Sequence, residues 1–169
     1  ELGNEGSYST TRGFVTDTLV STVALSSPSG GHETNIIDIL VTWTGVSDSV
    51  GVDSYAVEVS KVTGFGSLEF SETINGDLTS DTVTGLYNDS YYWRVRAFDE
   101  LGNVGPYSET RGFVTDTIVN QVVLTVPATG HETSIIDFLL SWTANVDSVG
   151  IDSYAVEVSN VLGFGSLKY

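Results

Sequence analysis

Ser90-Tyr91-Tyr92-Trp93-Arg94-Val95-Arg96-Ala97-Phe98-Asp99 decides the fold. Successive side chains of a strand point to opposite faces. Tyr91, Trp93, Val95 and Ala97 therefore share one apolar face, and Arg94 and Arg96 lie on the other. The same period of two runs through residues 36–44, where Ile37, Ile39, Val41 and Trp43 share a face. It runs again through residues 54–60, with Tyr55, Val57 and Val59 inward and Glu58 outward. No segment has a convincing helical spacing of apolar residues. Residues 20–25, 67–73, 81–86 and 107–114 supply four more strands. Clusters such as Pro28-Ser29-Gly30-Gly31 and Asn75-Gly76-Asp77 mark the turns between them. Seven short strands in roughly 100 residues make an all-β, immunoglobulin-like sandwich, with Trp43 and Trp93 inward from opposite sheets.

The pattern is itself repeated. Glu1-Leu2-Gly3-Asn4 returns at residue 100, Arg12-Gly13-Phe14-Val15-Thr16-Asp17-Thr18 at residue 111, and Gly31-His32-Glu33-Thr34 at residue 130. The offset is 99 throughout, and residues 1–70 match residues 100–169 at 47 positions. A unit that long is a whole domain rather than one turn of a solenoid. Residues 1–18 read as the C-terminal strand of a preceding module, 19–117 as one complete module, and 118–169 as the N-terminal part of a further, incomplete one. The chain reads as a piece of a longer array. Its last module is expected to be completed by residues outside this stretch or by a strand from a neighbouring chain. The stretch between Thr16 and Ser21 has no Gly or Pro, which implies stiff joints.

Leu86 followed by Tyr91-Tyr92-Trp93-Arg94-Val95-Arg96-Ala97-Phe98-Asp99, then Gly102-Asn103 and Tyr107-Ser108, resembles the last two strands of prokaryotic fibronectin type III modules. Trp43 resembles that family's core tryptophan, and Leu86 and Tyr91 its leucine and corner tyrosine. The resemblance implies tandem fibronectin type III-like sandwiches in an extracellular or cell-surface protein. The integrin-attachment tripeptide of some animal members is absent, since Arg-Gly-Phe stands at residues 12–14 and 111–113.

Composition narrows the partners. The net charge is −16, from 22 acids and 6 bases. Such a surface repels nucleic-acid phosphates and anionic lipid. There is no cysteine, so neither a disulfide nor a thiolate site can form. No apolar run reaches the roughly 18 residues a membrane span needs.

Candidate sites are few. His32-Glu33 and His131-Glu132 lack the second histidine of a zinc helix and read as polar turns. Asp48, Asp53, Asp99 and Glu100, with Asp147, Asp152 and Glu1, place hard oxygen ligands near the module joints. Calcium is the one cofactor they could serve. No Gly-x-Ser-x-Gly elbow occurs, and no catalytic residues are expected. Asn88-Asp89-Ser90 is a glycosylation sequon in a turn. Ile36 and Leu40, with Ile135 and Leu139, point away from the core by strand parity. Phe65 and Phe164, each between two glycines, either meet a partner or tuck under the sandwich edge.

The expected role is a structural or adhesive module of a fibre, stalk or filament, whose partners are copies of itself or neighbouring modules. The competing expectations are a surface-lattice component, or a spacer or carbohydrate-binding accessory of a large secreted hydrolase, with surface glycans as partners.

Overall fold

The computed structural model describes residue 3, residues 5–134 and residues 136–160. Every regular element among them is a strand. The complete module holds β1 (Ala24–Ser27), β2 (His32–Thr34), β3 (Ile39–Thr44), β4 (Val52–Ser60), β5 (Phe70–Asn75), β6 (Ser80–Val83), β7 (Asp89–Asp99) and β8 (Arg111–Thr115). They form two sheets, ordered β1-β3-β6 and β2-β8-β7-β4-β5. All neighbours are antiparallel except β2 and β8. This is a fibronectin type III-like sandwich.

The alternation in the sequence becomes the core. Tyr55, Val57 and Val59 of β4 and Tyr91, Trp93, Val95 and Ala97 of β7 are all buried. They face Ile39, Val41 and Trp43 of β3 and Val83 of β6. Trp43 and Tyr55 bring their rings to 5.4 Å, and Tyr91 and Phe113 to 5.6 Å. Leu86 fills the same core. Both of these indole N–H groups are buried without an acceptor among the described residues, so these rings serve the core through their apolar area.

Several expectations are corrected. There are eight strands in the module, not seven, because His32-Glu33-Thr34 forms a short edge strand parallel to β8 rather than a turn. Ile37 is exposed, because β3 begins only at Ile39. Ile36 and Leu40, expected to point away from the core, are indeed exposed, as is Leu139. Of the two readings of Phe65, the burial fits the tuck under the sandwich edge and not an exposed contact. The residue is 8% exposed with φ +52°, a backbone turn that folds its ring back over β7. Arg94 and Arg96 lie on the outer face but are half-buried. Ile135 and Phe164 lie outside the described residues.

The flanking segments differ from the complete module. Residues 5–18 carry no strand, and Tyr8 and Phe14 are exposed. After residue 118, β9 (Leu124–Val126) and β10 (Ser141–Trp142) pair, antiparallel.

Truncating Trp93 to alanine should cost the complete module about 3–5 kcal/mol. Leu40→Ser, on the outer face of the other sheet, should change stability by no more than about 0.5 kcal/mol. Urea titration read by near-ultraviolet circular dichroism checks both, and similar losses for the two would disprove this assignment of core and surface.

Candidate functional site at the module joint

The part of the molecule with the most polar organisation is the joint between modules. Its anchor within the complete module is Tyr91. The Tyr91 hydroxyl donates to the Tyr87 carbonyl at 3.1 Å and accepts from the Tyr87 amide at 3.0 Å. Thr115 Oγ1 donates to the same carbonyl. The turn fixed in this way holds Asn88. Asn88 Oδ1 accepts from the Thr117 amide at 3.1 Å and from Thr117 Oγ1 at 2.9 Å. Thus the sequon asparagine is half-buried and ties the end of its own module to the start of the linker.

The next module holds the residue before. Asp116 Oδ1 accepts from the Ile118 amide at 3.0 Å, and Asp116 Oδ2 accepts from Ser148 Oγ. Asn120 Nδ2 donates to the Val146 carbonyl at 3.2 Å, and Asn145 Nδ2 donates to the Asn120 carbonyl. Adjacent linker residues are therefore held from opposite sides, Thr117 by the module before and Asp116 by the module after.

The earlier joint repeats the second half of this arrangement. Asp17 Oδ1 accepts from the Leu19 amide at 2.9 Å, and Asp17 Oδ2 accepts from Ser49 Oγ. Here the complete module adds another bond, from Asn103 Nδ2 to the Asp17 carbonyl at 2.9 Å. Asn103 is positioned by Asp99, which is buried at the end of β7. Asp99 accepts from the amides of Leu101 and Asn103 and from Asn103 Nδ2. Val20 then enters the core over Gly105. A Cβ at Gly105 would lie 3.0 Å from Val20 Cγ1 and 3.1 Å from the Ala97 carbonyl, so the close approach needs glycine.

This geometry brings one carboxylate oxygen each of Asp17, Asp48 and Asp99 within 4.8 Å of one another. Among the described residues it is the set that could hold a cation. Asp48 and Asp99 were expected from the sequence, and Asp17 was not. Asp53 and Glu100 lie apart from it: Asp53 accepts from Ser54 Oγ, and Glu100 lies against Gly51. Five of the six oxygens in the set accept hydrogen bonds that shape the joint. His32 and His131 are both exposed, far in sequence from this set and outside it.

No protein-family model matches the chain. Over 146 residues it is 29% identical to chitinase A1 of Niallia circulans, a match that takes in 81% of this chain and 19% of that protein. The chain thus spans about a fifth of the length of the curated relative it matches. It is similar to the fibronectin(III)-like modules of Clostridium thermocellum CbhA, at 21% identity over 58% of this chain and 99% of that one, with a TM-score of 0.43. It is also similar to the fibronectin type-III domain of human fibronectin type III domain containing protein 3. There the identity is 21% over 70% of this chain and 100% of that one, with a TM-score of 0.43.

The joint should respond to acid. Hydrogen bonding by Ser49, and then by the Leu19 amide, holds the Asp17 carboxyl below the usual range; Ser148 and the Ile118 amide do the same for Asp116. A carboxyl with a lowered folded-state pKa contributes above its ordinary value of about 3.9 and ceases to contribute as pH falls through the lowered value. The Leu19 and Ile118 amide resonances should therefore hold steady from neutral pH to about pH 4 and move only below it. Ser49→Ala should shift the Leu19 midpoint upward. A midpoint at or above the ordinary carboxylate value in the unsubstituted chain would refute the clasp.

Proposed function

We propose that this fibronectin type III-like chain is a stiff, non-catalytic spacer in a tandem array outside the cell, serving a fibre, stalk or filament. One observation carries the reading: adjacent linker residues are bonded to the modules on either side, through Asn88 to Thr117 and through Ser148 to Asp116. A joint in which each residue is held does not behave as a random-coil linker. Each module then adds a fixed length, roughly 35 Å for a strand as long as β7. The recurrence of the Asp–Ser clasp at both joints supports a device that is built once per repeat.

A second setting has its own support. The chain's likeness to part of chitinase A1 favours a spacer or accessory module within a large secreted glycan-degrading protein. Stiff spacing would serve that protein by holding a catalytic domain away from a surface. The two settings share the same joint and differ in what the array carries. Surface glycans as partners belong to the second setting, and copies of the chain to the first.

Backbone 15N relaxation tests the shared claim. Order parameters across residues 115–119 should equal those of β7, about 0.85. Asp116→Ala and Asn88→Ala should each lower them, while leaving the core of the complete module folded. Values below about 0.6 at the unsubstituted joint would show a flexible tether and end the spacer reading.

A further inference from the structure

The complete module stands after one joint and before the other. Each joint therefore shows what one end of that module does to a linker. The two linkers have the same local form. Asp17 accepts from the Leu19 amide and from Ser49 Oγ, and Asp116 accepts from the Ile118 amide and from Ser148 Oγ. These residues correspond at the 99-residue offset. The bonds made by the two ends of the complete module therefore map onto one linker.

The two sets of bonds meet at a single peptide group. At the earlier joint, Asn103 Nδ2 of the module that follows donates to the Asp17 carbonyl at 2.9 Å. At the later joint, Asn88 Oδ1 of the module that precedes accepts from the Thr117 amide at 3.1 Å. Asp17 corresponds to Asp116, and Thr18 to Thr117, so this carbonyl and this amide belong to equivalent Asp–Thr peptides. In a trans peptide the C=O and N–H point in opposite directions. Neither bond obstructs the other, and the two asparagine side chains would end about 8 Å apart across the peptide.

We propose that the β7–β8 loop of each module docks on the Tyr87–Asn88 turn of the module before it, with Leu101 against the Tyr87 ring. Leu101 stands two residues from Asn103, and Tyr87 is next to Asn88. Leu101 is 60% exposed and Tyr87 is 76% exposed. Both stand on fixed backbone. Gly102, at φ +85°, donates its amide to the Asp99 carbonyl at 3.1 Å, and Asp99 Oδ1 accepts from the Leu101 amide at 2.9 Å. The Tyr87 amide and carbonyl both bond the Tyr91 hydroxyl. A large side chain presented on a turn that is already held loses little further backbone freedom when it is covered. Tyrosine, with few rotatable bonds and a large ring, is a residue type enriched at interface centres. The patch is continuous with the peptide that both modules bond, which favours the neighbouring module over a soluble partner as its occupant.

The proposal rests on the tandem-array reading, and its test keeps the two apart. The probe is the full chain with residues 19–117 duplicated in place, so that one complete module follows another through the Asp-Thr-Leu-Val sequence of the earlier joint. Leucine methyl shifts and 15N relaxation are read on the same sample. The Leu101 methyls of the first unit should match those of the unduplicated chain. Those of the second unit should move upfield under the Tyr87 ring of the first. Tyr87→Ser in the first unit should abolish that shift, and the same substitution in the second unit should leave it unchanged. If Tyr87→Ser disturbs the turn, Tyr87→Leu keeps the apolar bulk and should remove the ring-current shift while the joint stays ordered. Equal Leu101 shifts in the two units at an ordered joint overturn this proposal and leave the spacer reading intact. Low order parameters at the joint overturn both. Tyr87 rings that respond equally in both units to added N-acetylglucosamine oligomer mark a glycan contact and also overturn it.

Discussion

The structure depends on β7 keeping its register. This strand lies inside the five-stranded sheet, paired to β4 on one side and β8 on the other. Tyr91, Trp93, Val95 and Ala97 are each at most 1% exposed. A slip of one residue would exchange that set for Tyr92, Arg94, Arg96 and Phe98. It would bury two guanidinium groups without partners, at a cost no domain of this size can carry. The register therefore fixes more than the core. It places Tyr91 at one end of the strand, where it holds the Tyr87–Asn88 turn against Thr117. It also places Asp99 at the other end, where it holds Asn103 against Asp17. The two ends of one strand thus organise the two joints of the module.

This link explains why the joints can be short. A linker between independent sandwiches would need spare residues to avoid clashes. Here the linker residues are part of the modules' own hydrogen bonding. Asp116 donates its amide to the Thr34 carbonyl at the end of β2 while its carboxylate serves Ser148. The edge strand β2, paired to β8, thus helps set the exit direction of the chain. The −16 charge has a local counterpart at the earlier joint, where three carboxylates converge. Hydrogen-bond donors from the loop backbone, Asn103 and Ser49 offset their mutual repulsion.

The core was legible because burial on one face writes itself as period two, and the seams were less so. His32-Glu33-Thr34 is polar and pairs through its backbone with β8, so no side-chain pattern announces a strand. Phe65 sits between glycines and reads as a loop tip; its return onto Arg94 depends on a positive φ and on a residue 29 positions away. Asp17 was missed as a joint residue because its partner, Ser49, lies 32 residues on. A signal for it did exist: both members recur at the 99-residue offset as Asp116 and Ser148. Ile37 misled because parity says which way a side chain points only where the strand has begun.

One heptapeptide occurs twice and separates local preference from tertiary pairing. Ser54-Tyr55-Ala56-Val57-Glu58-Val59-Ser60 and Ser153-Tyr154-Ala155-Val156-Glu157-Val158-Ser159 are the same heptapeptide. The first lies within β4, with Tyr55 and Val57 buried. In the second, residues 151–158 carry no strand, and Tyr154 and Val156 are 37% and 44% exposed. The same residues form a strand at 54–60 and none over 153–158, so strand formation here follows tertiary pairing rather than local propensity. Yet some contacts are common to both copies. Trp142 and Tyr154 still meet at 5.5 Å, where Trp43 and Tyr55 meet at 5.4 Å. The Tyr154 hydroxyl still accepts from the Asn145 amide at 3.0 Å, and Asp116 still accepts from Ser148. The clasp and its aromatic support therefore recur in both copies.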